Sequence, residues 1–194
     1  MKKILFVMAM ICQVMLAVAQ HADFQKAVAK YKNSSSVTAT ATKTTHKAAL
    51  AKDDVSKGTL TMKAPATVTI TMAEGKDQLL MEGSQFTMVV KGKAHKTSSE
   101  KNVQFKTFQA VFESILAGGT KDLSKFTDLD IKKQGTSLLL TITPVADSKK
   151  AARRMLFSSF QLTIDAKSGE LRSLRMNEKA GNYTEYTFAN YKFK

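Results

Sequence analysis

Cysteine is all but missing from this chain of 194 residues, and the one present, Cys12, sits inside a short apolar run near the start. Without a second thiol there is no disulfide framework and no thiolate-rich metal site. Acidic residues are scarce as well: 16 Asp and Glu stand against 30 Lys and Arg, a formal net charge of +14. Such an excess draws the chain toward anionic surfaces, whether a phospholipid headgroup layer, an acidic protein or a nucleic acid. Long apolar runs are lacking too. The longest, residues 4–16, falls short of the roughly 20 residues a membrane-spanning helix needs. No G-x-S-x-G elbow, P-loop or G-x-G-x-x-G occurs, so nucleophilic and nucleotide chemistry have no motif to start from.

What is present begins with Met1-Lys2-Lys3, the apolar residues 4–16 and small Ala17-Val18-Ala19, the order of a secretory signal peptide. Cleavage after Ala19 is expected, which removes Cys12 and leaves one domain over residues 20–194, exported to the periplasm. Bulky Ile11 before Cys12 argues against lipidation at that cysteine. Export makes nucleic acid the least expected of the three anionic partners.

Phe24, Val28 and Tyr31 recur at helical spacing and predict a short amphipathic helix over residues 22–32. Beyond it the period becomes two. Residues 37–42 are Thr-rich and alternate weakly, as in an edge or half-exposed strand. Clearer strands carry Leu60 and Met62; Val68, Ile70 and Met72; Phe86, Met88 and Val90; Leu138, Leu140 and Ile142; and Phe160, Leu162 and Ile164. Each has one greasy and one polar face. Turn signals separate them at Ala64-Pro65, Glu74-Gly75-Lys76-Asp77, Glu82-Gly83-Ser84, Gln134-Gly135, Lys167-Ser168-Gly169 and Ala180-Gly181-Asn182. The expected fold is therefore mainly β, an antiparallel meander curling toward an unclosed barrel. Residues 102–116 interrupt it: Phe105, Phe108, Val111, Phe112, Ile115 and Leu116 form a helical stripe stopped by Gly118-Gly119. A helix that greasy is predicted to lie against the sheet, across its open mouth. Residues 33–36 and 91–96 read as loops.

Candidate chemistry is sparse. His21, His46 and His95 lack ligand-spaced partners such as H-E-x-x-H, so no metal and no cofactor is expected. Asp53-Asp54 and the pair Asp128 and Asp130 are the obvious carboxylates. The second pair would share a strand face, which a two-carboxylate glycosidase could use, but both pairs lie among turn and lysine residues, so solvated loops are expected. No residue is assigned a catalytic role. Methionine is more informative, with Met62, Met72, Met81, Met88, Met155 and Met176 beyond the leader. A flexible thioether suits a surface that adapts to acyl chains, and it also fills an ordinary core.

In order, these elements resemble the outer-membrane lipoprotein carrier proteins, the LolA-like superfamily. Gly58-Thr59-Leu60-Thr61-Met62-Lys63-Ala64-Pro65 is similar to that family's G-x-L-x-x-[KR]-x-P strand, and Glu82-Gly83-Ser84-Gln85-Phe86 to its D-G-x-x-[WF] turn. The Phe-rich helix falls where the family has a lid. The segments 160–165, 169–171 and 182–188 resemble its closing hairpins. The resemblance implies an unclosed barrel capped by helices whose apolar cavity receives the acyl chains of lipoproteins and carries them across the periplasm. It also implies an inner-membrane donor and an outer-membrane acceptor. In such carriers a basic residue directly before the proline helps fasten the lid. Here Ala64 holds that place, with Lys63 one earlier on the opposite strand face, and no tryptophan stands where the family often has one.

The expected function is thus a monomeric, non-enzymatic carrier of an acylated lipoprotein or related lipid. Its cavity would be bounded by Leu60, Met62, Val68, Ile70, Met72, Phe86, Met88, Phe105, Phe108, Phe112, Leu138, Leu140 and Ile142. Lys63, Lys91, Lys93 and Lys96 would contact partners or headgroups, with peripheral membrane contact at most. Two rivals stand beside it: an envelope regulatory or sensor protein with a filled core and an acidic protein partner, and a hydrolase working through Asp128 or Asp130.

Overall fold

The computed structural model describes residues 19–72, 75–146 and 148–194, with backbone alone at Val103. Residues 1–18 of the predicted signal peptide and Glu74 of a predicted turn lie outside the described residues. The period-two segments fall in β1, β2, β3, β5, β8 and β9 of eleven described strands: β1 (Ser36–His46), β2 (Asp54–Lys63), β3 (Thr67–Met72), β4 (Gln78–Glu82), β5 (Gln85–Val90), β6 (Lys93–Ser98), β7 (Leu129–Gln134), β8 (Ser137–Ile142), β9 (Phe157–Asp165), β10 (Leu171–Glu178) and β11 (Tyr183–Phe193). The helices are α1, described over residues 19–28 and continued by a 3-10 turn at Ala29–Asn33, then α2 (Lys106–Leu116) and α3 (Lys149–Arg154).

All strands join one antiparallel sheet in the order β6-β5-β4-β3-β2-β1-β11-β10-β9-β8-β7. The chain starts at the centre, walks outward to β6, crosses through α2 to the far edge at β7, and walks back to β11 beside β1. β6 and β7 stay unpaired with each other, so the sheet is open as expected. Strand reversal sorts the connections into two ends. One end collects the β1–β2, β3–β4, β5–β6, β8–β9 and β10–β11 links; the other collects β2–β3, β4–β5, β7–β8 and β9–β10.

Two sequence expectations need correction. The Thr-rich segment is the middle of the sheet rather than an edge. Its outward Thr38, Thr40 and Thr42 stand opposite Thr61, Thr59 and Thr187, cross-strand pairs that suit a solvated face, while inward Val37, Ala39 and Ala41 are buried. Residues 91–96 are not a loop: only Lys91-Gly92 turn, and Lys93–Ser98 is the edge strand β6, paired to β5 from Val90↔Lys93 to Gln85↔Ser98. Lysines on an exposed edge disguise a strand because they keep one side of the ladder from pairing further. Val90, expected inward, is 38% exposed at the end of β5.

The sheet curls strongly. Phe86 on β5 and Phe160 on β9 are seven ladder steps apart, which in a flat sheet would be about 34 Å. Both nevertheless contact the Phe108 ring on α2, at centroid distances of 5.9 and 4.9 Å. The concave side therefore wraps α2, which presents Phe108, Val111, Phe112, Ile115 and Leu116 to it. After α2 the chain passes through Gly118 and Gly119, both at positive φ. A Cβ on Gly118 would meet Lys32 Cβ at 2.6 Å, and one on Gly119 would meet Gln25 Cα at 2.6 Å. These two glycines let the end of α2 press against α1 and the 3-10 turn that follows it.

Candidate functional site

The predicted cavity residues arrive from both halves of the sheet. Leu60 and Met62 come from β2, Val68, Ile70 and Met72 from β3, Phe86 and Met88 from β5, and Leu138, Leu140 and Ile142 from β8. α2 and its lead-in add Phe105, Phe108 and Phe112. All are buried except Met88, which is partly buried against the same cluster. Alternation explains the convergence, since each set is spaced by two and the register puts Leu60 opposite Ile70 and Leu140 opposite Leu162.

Rings dominate the contact between α2 and the sheet. Phe105 stacks on Phe86 at 4.7 Å and meets Phe157 and Phe160 at 6.2 and 5.9 Å. Phe108 meets Phe112 at 4.9 Å, and Phe157 meets Phe160 at 5.2 Å. A continuous aromatic bridge thus spans the concave side, with centroid separations in the favourable range for offset and edge contacts.

Little space is left between these groups. A void of about 10 Å³ lies among Val68, Ile70, Leu79, Met81, Phe108, Phe112 and Leu174. That is about the volume one water molecule requires, and its apolar lining keeps it dry. Larger clefts, of about 520, 430 and 440 Å³, run over the outside of α1, α2 and the loop around Phe126, open to solvent and edged by Lys106, Lys121, Asp122 and Lys125.

Polar bonds fasten α2 at its margins. Thr107 Oγ1 donates to Asp128 Oδ1 at 2.7 Å. Ser99 bonds Gln109, whose amide donates to Glu113 at 2.7 Å, and Glu113 also pairs with Lys121. Buried Gln104 accepts from the Phe157 amide at 3.2 Å, tying the lead-in of α2 to the first residue of β9. Lys63 takes no part in this fastening. It ends β2 opposite Thr67 and Ser36, at the other end of the sheet from Lys91 and Lys93. Lys96 lies along β6 opposite Thr87, so the four lysines are spread over the surface rather than gathered.

Nor do the carboxylate pairs form a joint site. Asp128 is engaged by α2, whereas Asp130 is an exposed residue of β7 paired to Lys132 at 2.6 Å. Asp53 contacts His46 Nδ1 at 2.7 Å, and the His46 ring stacks on Tyr183 at 4.7 Å. Asp77 accepts from Lys43 at 2.5 Å and from the Lys91 amide at 2.8 Å, which hold its carboxyl below the usual carboxylate range. Among the described residues no group of three His, Cys, Asp or Glu could hold a metal ion, and no helix is long and apolar enough to cross a membrane.

Met81 on β4 and Met176 on β10, singled out among the methionines, are buried in the same core, whereas Leu79 on β4, Ile131 on β7, Leu174 on β10, and Tyr186 and Phe188 on β11 are parts of the interior wall that sequence reading left out of the cavity. Their period-two spacing was available as a signal. The short strands β4 and β7 hid it among charged and polar neighbours.

Solved structures with a similar course of the chain include a LolA superfamily protein from Nitrosomonas europaea, at 9% identity over 86% of this chain and 92% of that one, with a TM-score of 0.35. The Mycobacterium tuberculosis lipoprotein LppX gives 16% identity over 89% and 94%, with a TM-score of 0.40. A domain named for outer membrane lipoprotein sorting, from Vibrio parahaemolyticus, gives 10% identity over 90% and 91%, with a TM-score of 0.44. No curated protein sequence matches significantly. The family model for the outer membrane lipoprotein carrier protein LolA matches residues 32–194, from the turn after α1 through the whole sheet and α2, and the chain belongs to that family.

Proposed function

We propose that the protein is a periplasmic carrier that takes up the acyl chains of a lipoprotein, or a related lipid, between α2 and the concave face of the sheet. It would enter the periplasm through a cleaved signal peptide over residues 1–19 and act as the single domain 20–194, a monomer without enzymatic activity or cofactor. An inner-membrane donor would load it and an outer-membrane acceptor would unload it. The observation that carries this reading is the aromatic bridge. The residues that close the interior sit on one helix, and polar bonds hold that helix mainly at its margins.

Since the void beneath α2 is only about 10 Å³, loading in this reading requires α2 to lift. Magnitudes bear on how. Burying an acyl chain of about 16 carbons gains roughly 12 kcal/mol at about 0.8 kcal/mol per CH₂. Exposing Phe108, Val111, Phe112, Ile115 and Leu116 outright would cost about as much, at roughly 1.5–3 kcal/mol each. A workable carrier therefore has α2 settle onto its cargo rather than swing into water. Met62, Met72 and Met81 on the facing strands have the flexibility to repack around a chain.

The filled interior also favours a second reading, an envelope regulatory protein on the same fold that binds an acidic partner through its basic surface. Native mass spectrometry of protein recovered from an envelope fraction, together with titration by a fluorescent acyl probe, separates the two. Carriage predicts bound lipid or lipoprotein and saturable probe uptake. Recovery free of lipid, with no uptake by the folded protein, leaves the regulatory reading.

A further inference from the structure

Among the described residues the exposed large hydrophobic side chains are Leu50 (63% exposed), Val55 (58%), Val90 (38%), Val145 (71%) and Leu156 (63%). Leu50 lies in the β1–β2 link and Val55 is the second residue of β2. Val90 ends β5, and Val145 and Leu156 flank α3 in the β8–β9 link. Val145 and Leu156 stand on either side of α3 in a single link, two protruding aliphatic side chains beside one run of cations.

Cations accompany them. α3 has the sequence Lys-Lys-Ala-Ala-Arg-Arg, begins at a Ser148 cap that accepts from the Ala151 amide at 3.1 Å, and buries no residue. Lys149, Lys150, Arg153 and Arg154 therefore project from it, and none makes an ion pair with another described residue. Lys150, Arg154 and Lys101 line an open groove of about 430 Å³ together with Asn102, Ser148 and Met155. Lys52 and Lys179 add charge in the neighbouring links, where Asp53 and Glu178 are engaged by His46 and Lys47; the exposed acids Asp54 and Glu100 make no ion pair with a described residue. The rim is held as a unit: Lys47 pairs with Glu178 at 2.7 Å, the Ala48 amide donates to Asn182 at 2.9 Å, and Ser158 Oγ donates to the Glu178 carbonyl at 3.4 Å.

We infer that the β8–β9 link docks on an anionic lipid bilayer, with α3 lying at the interface and Val145 and Leu156 entering it. Unpaired basic groups beside protruding aliphatic ones match a surface that offers phosphates at one depth and hydrocarbon just below it. This docking is independent of acyl carriage by the interior, since none of its residues lines the space beneath α2.

The test is vesicle binding by the purified full chain and its variants, in parallel. Vesicles contain phosphatidylglycerol and phosphatidylethanolamine, or phosphatidylcholine alone. The protein has no tryptophan, so Leu156→Trp gives a single reporter indole, and Thr136→Trp in the β7–β8 turn at the opposite end is its control. The expected result is a blue shift of the Leu156→Trp emission with phosphatidylglycerol vesicles and none for Thr136→Trp. Val145→Ser with Leu156→Ser should weaken co-sedimentation at least tenfold. Replacing Lys149, Lys150, Arg153 and Arg154 by Gln should do the same and flatten the salt dependence. Replacing Lys63, Lys167 and Lys192 by Gln should change binding less than twofold. All changed side chains are at the surface, so unaltered melting curves accompany each variant. The proposal is overturned if both reporters respond alike, if the α3 variants bind as the parent does, or if the rim drives self-association or capture of an acidic protein with no lipid preference. Failure of the acyl-probe titration with these results intact would remove carriage alone.

Discussion

Thr107, in the first turn of α2, donates a 2.7 Å hydrogen bond to the carboxylate of Asp128, one residue before β7 begins. Thr107 is buried, and α2 has no side-chain cap of its own. Asp128→Ala would leave a buried hydroxyl unpartnered, a loss of about 1–3 kcal/mol. The expected signature is local as well as global: amides of α2 exchange faster by deuterium labelling than those of β1 and β11. Uniform loosening of the whole sheet would contradict a fastening role for this pair.

Phe112 lines the small void and contacts Phe108. Phe112→Ala should lower stability by about 3–5 kcal/mol in denaturant melts and enlarge a space whose lining is otherwise apolar. Benzene or a similar apolar solute should then raise the melting temperature of the variant but not of the parent. Equal responses would mean that the enlarged space collapses.

Asp77 ties the β3–β4 turn to Lys43 and to the Lys91 amide, and these partners hold its carboxyl below the usual carboxylate range. A lowered folded-state value means the unfolded chain binds the proton first. The stabilisation is therefore complete above the ordinary carboxylate range and disappears as pH falls through the depressed value. Asp77→Asn should cost on the order of 1 kcal/mol near pH 7 after solvent screening. That difference should shrink toward zero in strongly acidic buffer, as read from melting temperatures across pH.

Gly169 turns between β9 and β10 at φ +68, and a Cβ there would stand 1.9 Å from the Ala27 carbonyl of α1. Gly135 turns between β7 and β8 at φ +58 with open space around it. Gly135→Ala should cost about 1 kcal/mol for backbone conformation alone. Gly169→Ala should cost clearly more, because α1 must also retreat. Comparable losses in chemical denaturation would show that α1 is not seated on that hairpin.

Legibility from sequence followed how strongly each residue set states its period. Val68, Ile70 and Met72 alternate with three threonines, and Phe105, Phe108, Phe112, Ile115 and Leu116 hold a helical stripe, so β3 and α2 were readable without a fold. The LolA-type motifs at residues 58–65 and 82–86 then pointed to the family that the match over residues 32–194 establishes. β6 was not readable, since Lys93, His95 and Lys96 look like a loop unless a partner strand is known. α3 was passed over because six residues with only a serine cap signal little beyond charge. The closeness of Phe86 to Phe160 is a property of accumulated twist over seven strand pairs, and the size of the space beneath α2 depends on rotamers; neither is written in any local pattern.

Because β6 and β7 end the sheet without meeting, no ring of ladder hydrogen bonds fixes its girth. The curved wall is a split collar: its two lips can part or approach while every strand keeps the neighbours it has. Dilation then works against ring contacts and a few marginal polar bonds, not against the backbone ladder.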